Sequence, residues 1–236
     1  MKMNKFLAVA LLAVSAMGIQ TADAQSLSPS TKWHWDKGTI VIDTPERPAG
    51  QEHVLGLTAA PVKTVRVGFV GLGMRGPSAV IRFCQIPGVE IVALCDYEEK
   101  RAEAQQVHLR NAGLAPAAIY SGEKGYEELC KRPDIDVVYI ATDWNHHFPV
   151  AKCAMENGKH AAIEVPSAMN LEQCWDLINL SEQTRMHCFI LENCCYDDYE
   201  MKSLLMAQDG VFGEVIRAEG AYIHELSEFW KYYWKD

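Results

Sequence analysis

Apolar and polar positions fall into alternating blocks along most of this chain. The run Val65-Arg66-Val67-Gly68-Phe69-Val70 reads as a strand, and a helix begins near Pro77. Apolar runs at 89–95, 136–141, 160–164 and 188–192 read as four further strands. Between them, 98–111, 126–131, 147–157 and 171–184 carry helical spacing. Strands that alternate with helices at this interval join through right-handed crossovers, so the expected class is α/β with a doubly wound parallel sheet.

The ends depart from that rhythm. Residues 25–62 are rich in Pro, Ser, Thr and Gly and read as an extended lead-in strapped over the domain. After residue 192, a helix at 199–208 leads through Gly210 and Gly213 into 214–223, a partly alternating stretch. That stretch predicts the first strand of a second, α+β open-sheet domain. A lone strand cannot make a sheet, so 193–236 is expected to be an incomplete substrate domain in a chain truncated at its C-terminus. The remaining division is 1–24 as a signal peptide and 63–192 as the α/β domain.

The signal rests on Lys2 and Lys5, an apolar run over 6–19, and Ala22-Asp23-Ala24. This order of charge, short apolar core and small residues marks a cleavable secretory segment, too short to remain as a stable membrane anchor. No Arg-Arg pair precedes the run, which favours Sec export to the periplasm or beyond.

Among 236 residues, 49% are hydrophobic, enough for a sizeable core. The formal charge of −9 leaves no basic field to hold a phosphate backbone, which excludes general nucleic-acid binding. Six of the eight cysteines, Cys84, Cys95, Cys130, Cys153, Cys174 and Cys188, lie in apolar runs and read as buried. Cys194 and Cys195 are adjacent and no CxxC spacing occurs, so neither a metal site nor a redox pair is expected.

Gly71-Leu72-Gly73-Met74-Arg75-Gly76 matches GxGxxG, and it follows a strand and opens a helix, the context that gives the motif meaning. Gly71 permits the tight turn, Gly73 lets backbone approach a pyrophosphate, and Gly76 lets helix and strand pack closely. The diphosphate would sit at the helix N-terminus, where free N–H groups and the dipole favour negative charge. Asp96 ends the next strand, where a carboxylate accepts from the adenosine ribose hydroxyls and repels a 2′-phosphate. These features predict a Rossmann domain with NAD, not NADP, as cofactor.

Thr142-Asp143-Trp144-Asn145-His146-His147-Phe148-Pro149 lies at the carboxyl end of a strand, where loops line the ligand crevice of doubly wound sheets. Adjacent His146 and His147 cannot both point inward, so at most one faces the crevice. Glu164-Val165-Pro166 ends the following strand. A carboxylate-x-Pro there resembles the glucose-fructose oxidoreductase and inositol dehydrogenase superfamily, in which the middle position is normally Lys. Val165 replaces that charged donor with a short branched alkane.

With this substitution, the motifs at 71–76 and 142–147, Glu-Asn-Cys-Cys-Tyr at 192–196 and Gly-Ala-Tyr-Ile-His at 220–224 resemble glycoside hydrolase family 109. Its members are exported, NAD-dependent α-N-acetylgalactosaminidases. The resemblance implies that Met74, Arg75, Asp96, Trp144, Asn145, His146, His147, Glu164, Val165 and Asn193 contact NAD. It assigns Tyr222 to the sugar, with His224 and Tyr196 as further pocket candidates. The family's catalytic Tyr-x-x-His would fall beyond Asp236, so no catalytic residue is assigned and the chain alone is expected to be inactive.

The partner implied is an N-acetylgalactosamine-terminated glycan, and a homo-oligomer formed through the C-terminal domain is compatible with the resemblance. The implied reaction is oxidation at sugar C3 by hydride transfer to NAD, loss of the acidified C2 proton, elimination of the anomeric group, water addition and return of the hydride. Such enzymes stand outside the two-carboxylate scheme, and Asp197, Asp198, Glu200 and Glu225 read as surface residues. Two alternatives stay open: an NAD-dependent sugar or polyol dehydrogenase, against which the Lys-to-Val change argues, and a non-catalytic NAD-binding relative.

Overall fold

The structure, a computed structural model, describes residues 33–42 and 46–227. The signal segment and the aromatic-rich stretch Phe229-Trp230-Lys231-Tyr232-Tyr233-Trp234 lie outside the described residues. The chain divides into two units, residues 1–191 and 192–236.

The first unit opens with a hairpin that the sequence reading missed. Strands β1 (Trp33–Asp36) and β2 (Thr39–Ile42) pair antiparallel around Lys37 and Gly38, both at positive φ. Positive φ at both central residues gives the turn whose twist matches flanking strands. Residues 46–62 then run without regular structure. Arg47 and Gln51 donate to Glu182 at 2.9 and 2.7 Å, anchoring this segment to a helix far along the chain.

Six parallel strands form the sheet: β3 (Val65–Val70), β4 (Val89–Asp96), β5 (Ala118–Ser121), β6 (Val137–Ile140), β7 (His160–Ile163) and β8 (Cys188–Ile190). Their spatial order is β5-β4-β3-β6-β7-β8, so the winding direction reverses between β3 and β6. Ligand crevices of doubly wound sheets open at that reversal, beyond the strands' carboxyl ends. The helices are α1 (Gly76–Phe83), α2 (Glu99–Asn111), α3 (Gly125–Cys130), α4 (Trp144–Glu156) and α5 (Leu171–Thr184).

Period-two alternation sends strand side chains into two cores. Val67, Phe69, Leu94 and Tyr139 pack with Ala79 and Val80 of α1 and with Ala102 and Leu109 of α2. Val70, Val138, Ile140 and Ile163 pack with Leu129 and Cys130 of α3 and Val150, Ala151, Ala154 and Met155 of α4. Burial on both faces explains why the strands read as continuous apolar runs. Phe69 is fully buried and stacks on Tyr139 at 4.9 Å between ring centroids, with Phe83 edge-on to both. Truncating such a ring costs about 3–5 kcal/mol.

Three sequence expectations differ from the fold. The short edge strand β5 was not anticipated, because three half-buried residues and an exposed one between a helix and a glycine turn carry too little periodicity. Cys174 is exposed on α5, whereas Cys95 and Cys130 are buried as expected and Cys84, Cys153 and Cys188 are half-buried. The stretch 214–223 is not a strand. Alternation specifies which face a strand buries, but a strand exists only when a neighbour exchanges backbone hydrogen bonds with it, and no described residue of 192–227 does so. Among its described residues that unit holds one α-helix, α6 (Asp198–Gln208), and all of them are exposed.

Candidate dinucleotide site

The glycine turn joins β3 to α1 at the reversal point. Gly71 has φ +93°, and a Cβ there would lie 2.4 Å from the carbonyl carbon of Ala141, the residue that follows neighbouring β6. A Cβ on Gly76 would lie 2.1 Å from the Gly71 carbonyl oxygen. Both glycines are therefore demanded by the protein's own packing. Gly73 differs: it is exposed, and a Cβ there would meet only Arg101 Nη1 at 3.7 Å. Nothing inside the protein needs glycine at 73, whereas a ligand lying against that backbone does. The turn thus fits a diphosphate group.

Asp96 ends β4 and is 6% exposed. Its Oδ2 accepts the Leu72 N–H at 2.7 Å and its Oδ1 accepts the Glu98 N–H at 3.0 Å. The carboxylate therefore braces the glycine turn while capping the approach to α2. Arg101, in the first turns of α2, brings Nη1 to 3.7 Å from Asp96 Oδ1 and pairs through Nη2 with Glu98 at 2.9 Å. Arg101 escaped the sequence reading. The available signal was its place five residues after Asp96 on a helix that starts at the strand's end.

On the other side of the crevice, Glu164 follows β7. Its Oε1 accepts from the Tyr139 hydroxyl at 2.7 Å and from Arg75 Nε at 3.3 Å. Arg75 is the N-cap of α1, so this carboxylate ties the glycine turn to the loop that follows β7. Tyr139 is 3% exposed; burial, and next the Glu164 carboxylate, push its phenol above the ordinary range. Tyr139 was also missed, although it is the one hydroxyl in an otherwise apolar strand.

The loop after β6 separates the paired histidines. Asp143 caps α4 by accepting the Asn145 N–H at 3.0 Å, and its other oxygen meets His146 Nδ1. Trp144 and His146 are exposed. His147 is 1% exposed, with Nδ1 2.6 Å from the Pro166 carbonyl oxygen and Nε2 3.1 Å from that of Thr142. A ring N–H donates to at least one of these carbonyls in either tautomer, so His147 clamps the β6 loop to the β7 loop. Val165 and Met74 expose apolar side chains.

The structure thus brings Gly71, Gly73, Met74, Arg75, Gly76, Asp96, the 144–147 loop, Glu164 and Val165 to the carboxyl ends of adjacent strands. Asn193, Tyr196, Tyr222 and His224 belong to the second unit. There, the Tyr222 and His224 rings lie 4.3 Å apart, centroid to centroid, and both side chains are exposed. Among the described residues, no group of three or more His, Cys, Asp or Glu side chains could hold a metal ion, and no helix is long and apolar enough to cross a membrane.

A parallel sheet reversing beside a glycine turn, with an acid at the end of the second strand, defines a dinucleotide-binding domain. Residues 65–191 match the oxidoreductase family with an NAD-binding Rossmann fold, and the chain belongs to that family. Within it, the chain is similar to Glycosyl hydrolase family 109 protein 3 of Phocaeicola vulgatus, 75% identical over 100% of this chain and 42% of that protein. It is 54% identical to Glycosyl hydrolase family 109 protein 1 of Bacteroides thetaiotaomicron, over 99% of this chain and 49% of that protein. The resemblance to family 109 therefore stands, and the chain spans less than half the length of these relatives. Among solved structures, the myo-inositol dehydrogenase of Lactobacillus casei in complex with NAD(H) and myo-inositol shares the fold. Its TM-score is 0.56 at 24% identity, covering 64% of this chain and 43% of that one.

Proposed function

We propose that this chain is the NAD-binding part of an exported glycosidase that hydrolyses terminal α-N-acetylgalactosamine. The observation that carries the reading is the 75% identity, along the whole chain, to a protein named for glycosyl hydrolase family 109. The geometry agrees with it. The turn at 71–76 would hold the diphosphate, Asp96 the adenosine ribose, and Arg75, Glu164 and the 144–147 loop the remainder. Bound there, NAD supplies reversible hydride acceptance, the chemistry that makes C3 of a sugar a ketone and restores it.

The chain's residues serve this by orientation. Asp96 fixes the turn by taking the Leu72 N–H, and His147 fixes the loop after β6. Val165 offers an apolar surface where a dehydrogenase of the superfamily would place a lysine amine as proton acceptor, which favours a reaction that returns its hydride over one that releases NADH. Tyr222 and His224 would meet the sugar. Export behind residues 1–24 belongs to the same reading, and N-terminal sequencing of the exported protein should begin at Gln25.

The test uses the chain within a polypeptide of its relatives' length. Release of nitrophenol from a nitrophenyl α-N-acetylgalactosaminide without net NADH supports the glycosidase. NADH accumulating with free sugar and no nitrophenol supports the dehydrogenase instead.

A further inference from the structure

The acid at the end of β4 does not stand alone. Arg101 brings Nη1 to 3.7 Å from Asp96 Oδ1, and the same nitrogen lies 3.7 Å from where a Cβ on Gly73 would sit. Its guanidinium therefore spans the gap between the exposed backbone of the glycine turn and the carboxylate expected to meet the adenosine ribose. The Asp96 side chain is 6% exposed and already accepts two backbone N–H groups, whereas that of Arg101 is 47% exposed. At the mouth of the crevice, the cation is the more accessible of the two.

The charges there balance. Glu98 pairs with Arg101 Nη2 at 2.9 Å and with Lys100 Nζ at 2.7 Å, so the carboxylates of Asp96 and Glu98 face two cations. Lys100 keeps Glu98 neutralised when the guanidinium turns to another anion. These groups gather at the start of α2, where free N–H groups and the helix dipole favour negative charge. Taken alone, Asp96 repels a phosphate on the ribose 2′ oxygen. With Arg101 beside it, an attraction of similar range offsets that repulsion. The guanidinium also has more N–H donors than its two contacts use, in a planar fork that matches phosphate oxygens.

We propose that Arg101 sets the cofactor selectivity of this site, and that through it the site admits the 2′-phosphate of NADP as well as NAD. The inference rests on the reading that a dinucleotide lies on the 71–76 turn with its adenosine ribose at Asp96. A ribose whose 2′ oxygen reaches Asp96 carries any phosphate on that oxygen to the neighbouring guanidinium. Arg101 then exchanges its long contact with Asp96 for a charge-assisted bond to phosphate. NAD has a bare hydroxyl there and leaves the contacts of Arg101 as they stand, so its affinity depends little on this side chain.

The experiment titrates the full chain with NAD and with NADP, reading tryptophan quenching and the rise in melting temperature. Trp144, exposed in the 144–147 loop, is the reporter at the site. The parent should bind NADP within about tenfold of NAD, a gap of one charge-assisted contact or less. Arg101→Gln should weaken NADP by about tenfold or more and change NAD by less than about threefold. Arg101→Lys keeps the charge without the fork and should recover part of the lost NADP affinity. Binding of NAD with NADP held more than about tenfold more weakly by the parent, or equal loss of both in Arg101→Gln, would overturn the proposal and leave the dinucleotide reading intact. Equal loss would place the guanidinium on the diphosphate that the two cofactors share. Binding of neither overturns the dinucleotide reading itself, and this inference with it.

Discussion

Asp96 accepts the backbone N–H of Leu72 at 2.7 Å, so the acid expected to grip a ribose is also what holds the glycine turn in place. Its second oxygen takes the Glu98 N–H. Asp96→Ala strips two backbone donors of their acceptor, at about 1–3 kcal/mol for each left buried and unpaired. Both the melting temperature and the rise in melting temperature produced by saturating NAD should fall. An undiminished rise with NAD would separate Asp96 from the cofactor.

Gly71 and Gly73 should respond oppositely to alanine. Gly71→Ala puts a Cβ 2.4 Å from the Ala141 backbone at positive φ. The left-handed backbone alone costs about 1–2 kcal/mol, and the overlap adds to it. Gly73→Ala meets nothing nearer than 3.7 Å. It should leave the denaturation midpoint within about 0.5 kcal/mol of the parent, as surface changes do, while weakening NAD at least tenfold in a tryptophan-quenching titration. Unchanged affinity for Gly73→Ala would mean that no diphosphate lies on this turn.

Tyr139→Phe keeps the ring stacked on Phe69 and removes only the hydroxyl that donates to Glu164. The net loss should be about 0.5–1.5 kcal/mol, the contribution of one such bond. Glu164 then keeps Arg75 as its partner within the crevice, so urea denaturation should show the loss while NAD binding weakens only a few-fold. A complete loss of NAD binding with unchanged stability would give Tyr139 a direct contact instead.

His160 makes the sheet's edge sensitive to acid. Its Nδ1 accepts the backbone N–H of His187 at 2.9 Å, which anchors the start of β8, and a proton on Nδ1 would end that bond. Burial, and next the neighbouring His187, hold its pKa below the ordinary value of 6.5. The unfolded chain therefore binds this proton more readily. The stability it contributes is fully present above about pH 6.5 and is lost as pH falls through the lower, folded value. Urea midpoints between pH 8 and pH 5 should show this decline, and His160→Gln should flatten it; equal slopes in both proteins would remove His160 as its source.

The sequence by itself determined the winding of the sheet and half of the site. Buried parallel strands are apolar on both faces, so β3, β4, β6 and β7 announce themselves as largely apolar runs. The glycine turn and Asp96 are legible because local backbone geometry and strand ends fix their places. The hairpin β1–β2 and the edge strand β5 were not: they are as long as β6 and β7 but lie in a separate pair or at the sheet's edge, so they lack the burial on both faces that makes a run stand out. Alternation at 214–223 misled for the converse reason: it describes a surface without supplying a partner. Only the tertiary structure paired Tyr139 and Arg75 with Glu164 and Arg101 with Asp96. Those pairings join residues from different strands and helices, and such proximity is set by how the layers pack, which no local spacing records.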